Sequence, residues 1–449
     1  MSNDDLRTRI AADMPKTIAG LERLVRIPSK GYAGDDPANV RASAEATRDV
    51  LMDAGVADAR LLELEGGHPA VFGRIAGPES APTVLLYAHH DVQPEGPIEQ
   101  WDSPPFEPQV RDGRLYGRGS ADDKSGVAIH AAALRALGDD VPVTVKVLVE
   151  GEEECSTAHL PELVKGNADL IRADVAVIGD SGNYRTGIPT ITTSIRGVTD
   201  CVVQVRVLEQ AQHSGSYGGP IPDAITALSR IIARLHDDDG NVAIPGLRRF
   251  AWQGADYPED DFRAEAGTIA GLQTIGTGSI ADRVWAGPAA AVLGIDAPAI
   301  HGSSNQVVPV ARARVSLRLA PGDDALAATN KLTAFLKDAA PWGVEVTIEG
   351  GAFDAGQGYM VDTSAPALHA ARAALEEAYG SDVVETGSGG SIPLVPMLAE
   401  TFPGIAVLMW GAMDERSNIH SVNESVDLGE LEHMALAQAL FIPKLAEHA

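Results

Sequence analysis

Histidines and carboxylates recur in this chain directly after apolar runs. His89-His90-Asp91 follows TVLLYA. Glu150, Glu152, Glu153 and Glu154 crowd the stretch VLVEGEEEC. Asp180 closes DVAVIGD, and His420 stands in the loop after GIAVLMWG. Asp122-Asp123 lie just before a helical run that starts at Gly126. Carboxylates packed together raise one another's pKa and tend to protonate. A divalent cation reverses that tendency and holds them ionised. Mixed histidine and carboxylate ligands suit zinc or manganese. On an extended chain, residues two apart point the same way. The natural division therefore puts His89 on a metal and Asp91 behind it, fixing the imidazole tautomer. Each piece alone has a plainer reading: a structural histidine, a solvated acidic loop, an Asp that caps a helix. Their shared position at the ends of successive apolar runs points to a metal centre.

The elements that must position these groups follow from periodicity. TVLLYA, TVKVLVE and DVAVIGD read as strands, GVAIHAAALRAL as a helix between the first two. Such alternation predicts an α/β fold: a mostly parallel, helix-covered sheet, which binds ligands beyond the carboxyl ends of its strands. After Arg196-Gly197 the style changes. TDCVVQVRV alternates with period two, a helix follows over Asp223–Leu235, and a loop-rich stretch runs to about Pro298. RARVSLRLA, ALAATNKLTAFLKDAA and GVEVTIEG then read as strand, helix and strand. The expected organisation is a catalytic domain over 1–196 and 353–449, with an inserted α+β domain over 197–352.

Composition narrows the partners. Among 449 residues, 63 acids against 35 lysines and arginines give a net charge of -28. Nucleic acid and anionic membranes would be repelled. No run of 18 apolar residues suggests a membrane span. The first 25 residues carry acids where a secretory signal needs bases, which predicts an amphipathic helix and a cytoplasmic location. Two cysteines, Cys155 and Cys201, are too few for a disulfide framework. No phosphate-cradling glycine loop and no Gly-x-Ser-x-Gly are present, which disfavours phosphoesterase and serine-hydrolase readings.

Seven segments, YAHHDVQP, LYGRGSADDKSG, EGEEECST, VIGDSG, QHSGSYGG, GGSIP and HSVNE, span Tyr87 to Glu424. In this order they resemble the M20 metallopeptidases, and within them the carnosinase-like dipeptidases. The resemblance implies two divalent metal ions, zinc first, with manganese or cobalt as substitutes. His89, Asp122 and Asp180 would hold one; Asp122 would bridge to a second completed by Glu154 and His420. Glu153 would be the general base that activates a metal-bridging water, with Asp91 orienting His89. The inserted domain would be a dimerising lid, so the chain would act as a homodimer. His213 would reach the partner's active site and polarise the scissile carbonyl. Arg318, Gly390 and Ser391, with Asn305, would receive the substrate carboxylate. Departures are local: Ala88 replaces the glycine that often precedes His89. Gly387-Ser388 stand where carnosinase-like members carry Arg-Glu, which bears on side-chain preference. The implied activity is hydrolysis of dipeptides or similar short substrates. The alternative is an N-acyl-amino-acid deacylase of the acetylornithine or succinyl-diaminopimelate type.

Overall fold

A computed structural model describes residues 2–350 and 355–447. The expected boundary at 352/353 falls outside the described residues. The chain forms two compact units. One comprises 1–193, 361–386 and 392–449; the other comprises 194–360 and 387–391.

The first unit is built on a six-stranded sheet. Its order is Arg60–Leu62, Ala70–Ile75, Thr144–Glu150, Thr83–His89, Val175–Ile178 and Ala406–Met409. The last four strands are mutually parallel, and the first two are antiparallel additions at one edge. The strand Ala70–Ile75 was not expected from the sequence. Thr83–His89 is central and almost wholly buried, as the unbroken apolar run requires. Helix Lys124–Leu137 is buried nearly all round and packs against Asn3–Val25 and Leu428–Glu447. Its start is fixed by Asp123, whose side chain accepts the Gly126 N–H. Ser2 and Asp5 form a capping box at the start of Asn3–Val25, the helix expected over the first 25 residues.

The second unit carries a four-stranded antiparallel sheet in the order Ala289–Asp296, Val310–Leu319, Gly197–Arg206 and Glu345–Glu349. Helices Ala224–Ala233 and Ala325–Asp338 cover one face. Val203, Val205, Leu228, Ile231, Val315, Leu317, Leu332 and Leu336 share the resulting core. Ala289–Asp296 corrects the loop expected there. It is an edge strand with a bulge at Val292/Gly294, exposed along most of its length. An edge that buries neither face leaves no alternation to read.

Candidate metal centre

The parallel register explains why the chemistry gathers. His89 stands opposite Glu150, and His90 N–H donates to Glu150 O at 2.8 Å. Residues 89–91 and 151–154 therefore leave the sheet side by side. On the other flank Gly179 N–H donates to Tyr87 O at 2.8 Å, which brings Asp180 to the same edge.

Asp122 divides its two oxygens between two histidines. Oδ1 lies 2.9 Å from His89 Nε2, and Oδ2 lies 3.0 Å from His420 Nε2. His420 Nε2 is also 3.3 Å from Glu154 Oε1. Among the described residues two donor groups overlap at His89. One ligand atom each from His89, Asp122 and Glu154 lies within 4.8 Å of the others, and the same holds for His89, Glu153 and Asp180. Every residue expected at the metals, and the expected base, is thus in one cluster.

The charges sort by neighbour. Burial would raise Asp122, but the His420 and His89 contacts hold it below the usual carboxylate range. Contacts with Asp122 and Glu154 push His420 up to about 10. Burial would lower His89, yet the Asp122 and Asp91 contacts raise it well above its ordinary value. Burial, then the Asp122 charge, push Asp180 up to about 7. Burial, then the Asp180 charge, drive Glu153 well above the carboxylate range. Buried and half-buried acids that repel one another, with imidazoles among them, are a donor set that divalent cations fit.

Supporting contacts fix the donors. His89 Nδ1 meets Asp91 O at 3.1 Å and lies 3.4 Å from Asp91 Oδ1, which leaves Nε2 for a metal. Asp91 also accepts the backbone N–H groups of Glu153 and Glu154, at 3.2 and 3.0 Å. Gln93 Nε2 donates to Glu154 Oε2 at 2.8 Å, and Tyr32 OH donates to Glu154 O at 2.7 Å. Buried Glu424 accepts N–H groups from Gly119, Ala121 and Asp122, and pairs with Arg118 at 2.7 Å. Gly119 has φ +82, and a Cβ there would stand 2.5 Å from Val92. His420 itself has φ +59, a conformation that costs a non-glycine residue and clusters at functional sites.

The remaining glutamates of the run are buried and bonded to other side chains and backbone. Glu150 is buried, accepts the Tyr87 hydroxyl at 2.7 Å, and is pushed by burial up to about 7. Glu152 is buried and accepts the His68 N–H at 3.0 Å, with His159 Nδ1 at 2.7 Å. His90 turns away from the cluster to Pro69 O, 3.0 Å from its Nε2. Sequence reasoning passed over Gln93, Arg118 and Glu424, though each lies inside a quoted motif. Tyr32 carried no signal.

His213, Arg318, Asn305, Gly390 and Ser391 belong to the second unit. His213 is exposed, and its Nδ1 accepts the N–H groups of Gly215 and Ser216 at 3.1 and 3.3 Å. A neutral imidazole accepting at Nδ1 carries its proton on Nε2. Arg318 Nη1 donates to Ser391 Oγ at 3.4 Å. Asn305 is exposed, and its carbonyl accepts the Ser214 N–H, one residue beyond His213, at 2.9 Å.

The model of peptidase family M20/M25/M40 matches residues 85–444. A cysteinylglycine-S-conjugate dipeptidase of Corynebacterium striatum is 40% identical over 371 residues, covering 81% of each chain. A human Beta-Ala-His dipeptidase is 25% identical, over 85% of this chain and 78% of its own. In fold, the chain is similar to the di-peptidase Dug1p of Saccharomyces cerevisiae. The TM-score is 0.84, the identity 22%, and 99% of each chain is covered.

Proposed function

The chain belongs to peptidase family M20/M25/M40, and on that premise we propose that it is a metal-dependent dipeptidase in which Glu153 activates the attacking water. The observation that carries this reading is Asp122, placed between His89 and His420 and joined through His89 to the donor group of Glu153 and Asp180. His89, Asp122 and Asp180 would hold one divalent cation, and Asp122, Glu154 and His420 a second. When bound, such a pair polarises the scissile carbonyl and lowers the pKa of a water towards about 7. Glu153 takes the proton of that water and passes it to the leaving amine. Asp91 keeps the His89 ring in its working orientation. His213, donating through Nε2–H, stabilises the developing oxyanion. Arg318 grips the substrate carboxylate with its planar fork, helped by Ser391, Gly390 and Asn305.

Zinc is our first assignment for both cations, with manganese or cobalt as substitutes. The second unit acts as a lid through which two copies pair. Its edge strand Ala289–Asp296 supports this, with Leu293 and Ile295 more than half exposed. A cytoplasmic setting agrees with two free cysteines. Among the described residues no helix is long and apolar enough to cross a membrane.

The test is turnover by the metal-loaded protein. Free dipeptides, with S-conjugated cysteinylglycine among them, are compared with N-acetyl amino acids. A higher kcat/KM on the dipeptides is expected; faster turnover of the acetylated set overturns the reading.

A further inference from the structure

Arg196 is 8% exposed and threads one turn of the second unit. Its backbone N–H donates to Ser388 O at 3.2 Å and to Gly390 O at 3.1 Å. Its Nε donates to Gly389 O at 3.2 Å. Its Nη1 is buried and has no hydrogen-bond partner. Among the described residues neither Arg196 nor Arg318 has a carboxylate partner. This is unusual here. The buried arginines Arg114 and Arg118 pair with Asp414 and Glu424 at 2.6 and 2.7 Å, in a chain with 63 acids to 35 basic residues. Burial, then the Arg318 charge, push Arg196 down to about 10. Two guanidinium groups thus work against each other beside the turn that ends in Ser391, and among the described residues no carboxylate pairs with either. A buried charge is normally paired, so such a site suits an anion.

We propose that Arg196 is a specificity-determining residue, which joins Arg318 and Ser391 in receiving the carboxylate of the substrate. The inference rests on the reading that Arg318 and Ser391 take that carboxylate. Arg318 supplies the more open guanidinium. Arg196 holds the 388–390 turn by its backbone and Nε, and offers its spare N–H and its charge to the same anion. The predicted class is a substrate with a free carboxylate, and its neutral amide should be a poor one.

The experiment compares a dipeptide with its C-terminal amide, using the metal-loaded full chain. Arg196→Met should lose roughly 10- to 100-fold in kcat/KM on the free acid, mostly through KM, as expected for a hydrogen bond to a charged group. Turnover of the amide should fall much less than that of the free acid, since only the loosened 388–390 turn affects it. A Met variant that loses equally on acid and amide makes Arg196 a loop staple only and overturns the proposal, as does one that loses on neither. A wild-type protein that does not discriminate acid from amide refutes the Arg318–Ser391 reading instead. Should Arg196→Met not fold, Arg196→Lys carries the test. An ammonium lacks the fork that serves Gly389 O and a carboxylate together, so acid preference should fall. Unchanged preference in that variant overturns the proposal.

Discussion

Asp91 receives the backbone N–H of Glu154 at 3.0 Å, and through its other oxygen that of Glu153 at 3.2 Å. The same carboxylate lies 3.4 Å from His89 Nδ1. One buried side chain therefore ties the register of the glutamate run to the orientation of the imidazole. A slip of one residue along the run would exchange the proposed base and the proposed ligand. Asp91→Asn keeps the shape but turns an N–H towards backbone N–H groups. We expect a ~10- to 100-fold loss in kcat or metal affinity, the usual effect of disturbing the groups that hold metal ligands. Steady-state kinetics and metal titration check it, and wild-type values for both would dismiss this role.

Glu153 and His420 should fail differently. Glu153→Ala should keep both metals and lose hydrolysis by about 10²- to 10⁴-fold or more, the range for a positioned proton-transfer group. His420→Ala removes the donor that sits 3.0 Å from Asp122 and 3.3 Å from Glu154. It should bind about half the metal per chain and recover partly at high metal concentration. Elemental analysis beside activity separates the two. Retained hydrolysis in Glu153→Ala would remove Glu153 as base.

What could be read in the sequence was what local pattern records. The Thr83–His89 and Thr144–Glu150 runs are apolar and unbroken because both faces are covered, so their ends, and the ligands after them, stood out. Ala289–Asp296 was missed because an exposed edge strand leaves no period. Glu424 was passed over as a positioning residue for another reason. Its partners are backbone N–H groups such as that of Gly119, 305 positions earlier in the chain, and no residue type announces such a bond. The unpaired Arg196 was hidden likewise, since a missing partner is a fact of three dimensions.

Glu424 gives a stability prediction. It is fully buried, pairs with Arg118 at 2.7 Å and satisfies three N–H groups of the loop that carries Asp122. Glu424→Ala leaves those three donors and Arg118 Nη1 without an acceptor and the buried guanidinium without a counter-charge, although its Nη2 keeps Pro94 O and Ser421 O. Breaking such a pair costs about 3–5 kcal/mol. Arg118→Met should cost less, because the carboxylate keeps its backbone donors. Urea or thermal melts of the two variants give the order, and the reverse order would refute the argument.

His130 should govern part of the acid sensitivity. It is fully buried, with Nε2 3.0 Å from Tyr87 O and Nδ1 2.9 Å from the Gln438 amide. The Gln438 Nε2 has no partner. A half-turn of that amide exchanges its O and N and points an N–H at Nδ1, while the ring donates Nε2–H to Tyr87 O. Both needs of a neutral imidazole are then met. Burial accordingly lowers the pKa of His130 below its ordinary 6.5. Above that value neither the folded nor the unfolded state binds the proton, and His130 adds no slope. As pH falls below 6.5, the unfolded chain takes the proton first, so stability is lost until the folded pKa is reached. His130→Gln removes this contribution. The melting temperature of the wild type should fall more steeply than that of the variant below pH 6.5, and the two should run parallel above it. Parallel curves throughout would show that His130 titrates alike in both states.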